Sequence, residues 1–370
     1  MKKEIRAFIP VDDEKNFITI NDEIIQKIRK YVKKYTLSNP NWTEAISSQN
    51  FLVELAFTLD MTHDATFEEL LNTFLSSFSP QFSGGFKLNK KNLLIIPDEN
   101  KKLINCMKKE DKEDDYYNGD LSAVNIKNPD IIYQNYLYGI MINISSAANS
   151  YALNNVFEYC LTELLNEKSL DKQRGGWIHY RLPWITARIL LGLHNILSNN
   201  RIILSNRNLY KEIDNQDRIA LDSLIERIYN DQYWRSGAGN WVSMWESTGL
   251  CLEAFITSNK FLTSDYYLIN INKVIDYLFR PNVVKEWLPK EIDFSNEEST
   301  NNLLAKVVLC SVLFRYIKLD NWKKYIGYKN EIQEFFVKCV ENICENKNIT
   351  ARQYCTIPQI LLYIAVAVKE

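Results

Sequence analysis

Six times along the chain, a helical segment with one apolar stripe is followed by a segment that is apolar nearly all round. The striped segments are "NDEIIQKIRKYVKKY", "TFEELLNTFLSSF", "ALNNVFEYCLTELLNE", "IALDSLIERIYND", "YYLININKVIDYLF" and "EIQEFFVKCVENICE". A helix with one apolar face belongs in an outer layer, and a helix apolar on every side must be buried on every side. Few arrangements satisfy both kinds in strict alternation. Of the 370 residues, 46% are hydrophobic, which is enough for a large buried inner layer.

The apolar segments share a frame at their starts. Ser247 stands five residues before Leu252 and two after Trp245. Thr186 stands likewise before Leu191 and after Trp184, Ser299 before Leu304 and after Glu297, and Thr356 before Leu361 and after Tyr354; Ser47 precedes Leu52. Each hydroxyl is placed as an N-cap for an unpaired first-turn amide. The last four starts are spaced by about 61, 52 and 57 residues, and the gap from Ser47 to Thr186 is about double. The copy expected midway is "NPDIIYQNYLYGIM", with Asn128 as cap and Pro129 at the first helical position. Inner helices are therefore predicted to begin near Ser47, Pro129, Thr186, Ser247, Ser299 and Thr356. Six outer–inner pairs closing on themselves make an all-α (α/α)6 toroid, one domain over 1–370 with an insertion at about 78–127 in the second pair. An open solenoid of helical pairs is the alternative.

In a toroid every outer-to-inner loop lies on the face where the inner helices begin. Those loops hold seven of the eight tryptophans. Glycines in "RGGWIHYRLPW" and "SGAGNWVSMW" allow tight turns there. The rings of Trp177, Trp184, Trp241, Trp245 and Trp287, with His179, Tyr180 and Arg181, are thus candidates for lining a mouth and central cavity that takes an apolar small molecule. The alternative for each ring is a wedge between helix ends.

Net charge is −2, which gives no electrostatic case for nucleic acid or an anionic membrane surface. The seven cysteines are odd in number and lack a Cys-x-x-Cys; Cys251 and Cys310, in apolar helices, read as buried thiols in a reducing compartment. The start "MKKEIRAFIPVDDEKN" has no signal-like apolar stretch. The longest clean apolar run, "ILLYIAVAV", is short of the about 20 residues a membrane span needs. These features predict a cytoplasmic location without a transmembrane segment, and with a protein partner as one possibility.

The segments "GGWIHYRLPWITARILLGL" and "AGNWVSMWESTGLCLEAF", with Gln232 opening "QYWRSGAGNW", resemble the repeat of the prenyltransferase and squalene/hopene cyclase superfamily. The resemblance covers about residues 150–310. It implies an aromatic-lined pocket for an isoprenoid chain and, in the protonating cyclases, a carboxyl acid from an Asp-x-Asp-Asp motif. Such an acid must be kept protonated by burial and a neighbouring carboxylate, and aromatic faces then stabilise the carbocation. A strict Asp-x-Asp-Asp is missing. The candidates for the acid are Asp120 in "NGDLSA", then Glu246, then the run Asp111–Asp115, which includes Asp114 and Asp115 and has Glu113 in place of the middle Asp. The run also reads as an ordinary solvated loop. Glu246, in the first turn of its helix, is expected to be held ionised by the helix dipole. The zinc ligands of the protein prenyltransferases have no counterpart around His63, His179 or His194, so no metal and no cofactor is predicted. His194, in "LLGLHNIL", reads as a satisfied core histidine.

Two other functions share this architecture. A carbohydrate-active toroid would draw carboxylates from Glu246, Asp293, Glu297 and Glu298. A toroid without catalysis would bind a ligand or a protein partner.

Overall fold

The computed structural model describes residues 11–38, 54–59, 61–77, 161, 164–165, 183–198, 204, 207–235, 244–345 and 356–369. It is mostly helical: α1 (Val11–Ser38), α2 (Ala65–Ser77), α3 (Pro183–Ser198), α4 (Asn208–Glu226), α5 (Met244–Thr257), α6 (Asp265–Leu278), α7 (Pro281–Trp287), α8 (Glu297–Tyr316), α9 (Tyr328–Glu345) and α10 (Thr356–Lys369). Residues 54–59 are also helical. The strands are a short antiparallel pair, β1 (Ile228–Tyr229) and β2 (Tyr233–Trp234), whose turn uses Asn230 and Asp231 in the left-handed region.

The two kinds of helix separate as their patterns require. In α3, α5, α8 and α10 the buried residues run around the helix, whereas α4, α6 and α9 bury one stripe. The buried helices pack in chain order, α3 on α5, α5 on α8 and α8 on α10. Each neighbouring pair runs the same way. Arg188 meets Glu246 near the starts of α3 and α5, and His194 meets Thr257 near their ends. Thr356 bonds Asn301 at the starts of α10 and α8, and the Ser311 hydroxyl donates to the Tyr363 carbonyl further along. The starts of these four helices therefore lie on one side.

The striped helices form a second layer. The Tyr267 hydroxyl of α6 donates to Asp222 of α4 at 2.8 Å. The Trp322 indole, in the 3₁₀ segment Asp320–Tyr325, donates to Asn272 of α6 at 2.7 Å. The first helix meets the last two: α1 packs on α9 and α10, and Gln333 of α9 donates to Asn21 of α1 at 2.8 Å.

Helix starts near the expected positions are made differently from the expectation. Helices α3 and α5 are described from Pro183 and Met244, so Thr186 and Ser247 lie inside them, fully buried, and are not caps. Ser247 donates to the Arg235 carbonyl at 3.2 Å, and Thr248 accepts from the Trp234 amide at 3.2 Å, which ties β2 to α5. Ser299 is the third residue of α8 and completes a capping box: the Asn296 side chain accepts from the Ser299 amide, and the Ser299 hydroxyl accepts from the Asn296 amide. The starts expected near Ser47 and Pro129, and the insertion at 78–127, lie outside the described residues.

Helices α5 and α8 touch at Gly249. A Cβ there would stand 3.0 Å from the Leu309 Cα and N. Backbone cannot rotate away, so Gly249→Val should cost about 1–3 kcal/mol, the range for overpacking. Urea unfolding measures it, and an unchanged midpoint would show that α8 slides freely.

Candidate functional site

The buried helices carry few charges, and those charges converge. Glu54 (segment 54–59), Arg188 (α3), Glu246 and Glu253 (α5) and Arg315 (α8) are all buried. Arg188 Nη1 lies 2.5 Å from Glu54 Oε1, and Nη2 lies 3.6 Å from Glu246 Oε1. Glu253 takes both arms of the Arg315 fork, and the Tyr316 hydroxyl donates to it at 3.2 Å. Tyr363 of α10 faces Glu54 across a shared cavity.

Glu246 and Arg315 stand behind Arg188 and Glu253; of these groups, Glu54, Arg188, Glu253 and Tyr363 line one cavity. Its described lining is Glu54 and Phe57 from segment 54–59, Arg188 and Leu191 from α3, Leu250 and Glu253 from α5, Val308 and Val312 from α8, and Tyr363 from α10. All five buried helical segments thus face a common centre. The volume is about 340 Å³ counting space open to solvent, and the enclosed part holds about one water. The lining mixes the charged Glu54, Arg188 and Glu253 with the aliphatic Leu191, Leu250, Val308 and Val312.

Burial pushes the Glu246 carboxyl up to about 7; the Arg188 guanidinium works against this, and the Glu54 carboxylate adds to it. Position in the first turn of α5 does not offset the loss of water around the charge. Burial likewise raises the Tyr363 hydroxyl well above its ordinary range, so the phenol is neutral.

A second polar set lies at the opposite ends of α3 and α5. His194 Nε2 stands 2.6 Å from Asp217 Oδ1 of α4, and Nδ1 stands 2.8 Å from Thr257 Oγ1. Ser258 and Lys260 donate to Asp217 Oδ2 at 3.1 and 2.8 Å. Burial alone would raise the Asp217 carboxyl, but the hydrogen bonds and charges of His194 and Lys260 outweigh it and hold it below the usual range. This set joins α3, α4 and α5 as a lock, with both His194 nitrogens engaged.

The predicted site residues are placed in different surroundings. Glu246 is buried and lies 3.6 Å from Arg188, but is itself outside the cavity's described lining. Trp184 and Trp245 are buried in the first turns of α3 and α5, outside the cavity's described lining, whose rings are Phe57 and Tyr363. Trp287 is fully buried, donates to the Leu278 carbonyl at 2.9 Å and meets Phe279 edge-on, the wedge arrangement. Asp111, Glu113, Asp114, Asp115, Asp120, Trp177, His179, Tyr180, Arg181 and Trp241 lie outside the described residues. Asp293, Glu297 and Glu298 are exposed before and at the start of α8. Sequence reasoning missed Glu54, Arg188, Glu253, Arg315 and Tyr363. The available signal was a lone charge inside an otherwise apolar run, as in "FLVELAF", "TARILLGL", "LCLEAF" and "VLFRY".

Among the described residues, no group of three His, Cys, Asp or Glu could hold a metal ion, and no helix is long and apolar enough to cross a membrane. Cys251, Cys310 and Cys339 are buried free thiols, and Cys344 is an exposed one. Compared with known proteins, the chain matches no family model, no curated protein and no solved structure.

Proposed function

We propose that the chain is a six-pair α/α toroid working as an acid–base enzyme, with Glu246 as proton donor to an uncharged, largely apolar substrate of isoprenoid type held at the axis. The closed toroid is supported over the open solenoid by α1 packing on α9 and α10. The observation that carries the activity is a buried carboxyl, raised to about 7, that lies 3.6 Å from Arg188 in the lining of a cavity shared by all five described buried segments. An alkene takes a proton only from an acid that is still protonated, and burial keeps this one so.

The test is incubation of the purified protein with linear polyprenyl substrates of several chain lengths, followed by extraction and mass analysis of products. A cyclised product is expected, with its rate falling as pH rises through about 7 because the donor ionises. Glu246→Gln should lose at least about 100-fold, the low end for general acid catalysis. No product at any chain length, or full rate in the Gln variant, removes the mechanism.

A second reading is a toroid that binds a small ligand without chemistry. It is favoured by the narrow enclosed space and by the pairing of Arg188 with Glu54 and of Arg315 with Glu253. Binding of a small ligand with no turnover would establish it.

A further inference from the structure

Among the described residues, the large hydrophobic side chains that stand out in solvent are Leu262, Tyr266, Ile269 and Ile326, and the first three follow one another closely along the chain. Tyr266 and Ile269, 51% and 58% exposed, are one turn apart on α6. Leu262, 66% exposed, is in the 3₁₀ turn Phe261–Thr263 that leads into that helix. Helix α6 turns Tyr267, Ile271, Val274, Ile275 and Leu278 to the core, so Tyr266 and Ile269 stand on its outward face. The same face carries Asp265 one turn before Ile269 and Lys273 one turn after it, both exposed. Lys273 lies 3.5 Å from Asp231, but that exposed pair contributes little and does not fix the ammonium.

A face with an apolar middle, an acid on one side and a base on the other is complementary to itself when turned end for end. Where two antiparallel copies of α6 cross at Ile269, Asp265 of each copy faces Lys273 of the other, because the two stand equally far on either side of Ile269. Tyr266 then falls beside the aliphatic stem of the second copy's lysine. A parallel pairing sets acid on acid and base on base, and is disfavoured. We infer that this face of α6 is a docking surface for a second copy of the chain, in an antiparallel pair of α6 helices about a two-fold axis at Ile269. The inference is independent of Glu246 and of any activity. A contact centred on one helix of 14 residues is smaller than a standard interface. The dimer is therefore weak, with a dissociation constant on the order of 10–100 µM.

Sedimentation velocity of the full chain from roughly 1 to 300 µM spans that range. The mean mass should rise from monomer toward dimer, and should rise less in about 0.5 M salt, which screens both charge pairs. Ile269→Glu, at an exposed position, should keep the chain monomeric throughout. Asp265→Lys should weaken association by about tenfold or more, and Asp265→Lys combined with Lys273→Asp should restore it by rebuilding both pairs in reverse. A chain that stays monomeric at the highest concentration overturns the inference and leaves the ridge to a different kind of partner. A dimer that survives Ile269→Glu, or one that the double swap does not restore, also overturns it. Should the double variant not fold, Ile269→Glu decides.

Discussion

Arg315→Met is expected to destabilise the protein by about 3–5 kcal/mol, while Glu253→Leu together with Arg315→Met restores most of that loss. The single change leaves the Glu253 carboxylate buried with the Tyr316 hydroxyl but without its cation. The double change replaces both charges with apolar groups in a region already walled by Val308 and Val312. Urea unfolding at neutral pH separates the cases. If the double variant is as unstable as the single one, the pair contributes net stability, and the argument from burial cost fails. If the single variant is neutral, Glu253 is reached by water or by another cation.

Asp217→Asn should cost about 3–5 kcal/mol near neutral pH, because it strips the charge from the centre of the lock that joins three helices. The variant leaves His194 facing an amide, while Lys260 keeps Asp214 at 2.5 Å. The pH dependence has a definite sign. The folded Asp217 carboxyl titrates below its unfolded value, so its contribution is present above the unfolded value and is lost as pH falls through the folded one. The gap between the native chain and the Asn variant should therefore narrow in strong acid, below about pH 4. A gap that is constant from neutral pH to pH 3 would mean that shape, not charge, makes the lock.

Helix type was legible because period and burial are coupled. Leu191, Leu250 and Val308 sit in runs that offer no polar face, and no outer position could take them. The frame of Ser247 and Thr186 was legible as a repeat but misread as capping. A buried hydroxyl in a helix and a capping hydroxyl look the same in sequence, and at Ser247 the partner is the Arg235 carbonyl in the chain leading from β2. The charged centre was only half legible. Arg188 and Glu253 stand out in apolar runs, but their partners are distant: Glu253 is 62 residues from Arg315. No local rule pairs charges across that separation. The tryptophans misled for a related reason. An indole suits a pocket wall and a helix wedge equally, and Trp287 finds its partner in the Leu278 carbonyl of the outer layer.

The contact of α1 with α9 and α10 bears on how the chain reaches this state during synthesis. Ile24, Ile25, Ile28 and Val32 form the stripe that α1 buries, and much of their cover comes from α9 and α10. At ribosomal rates, that cover emerges on the order of tens of seconds after α1 does. During the wait the stripe is open to solvent and to other nascent chains. Contacts that span nearly the whole sequence also slow the search for the native arrangement, since loop closure must precede their reward. The seam between α1 and the helices α9 and α10 is thus a step at which a ribosome-bound chain is exposed to aggregation, and a place for a chaperone to hold.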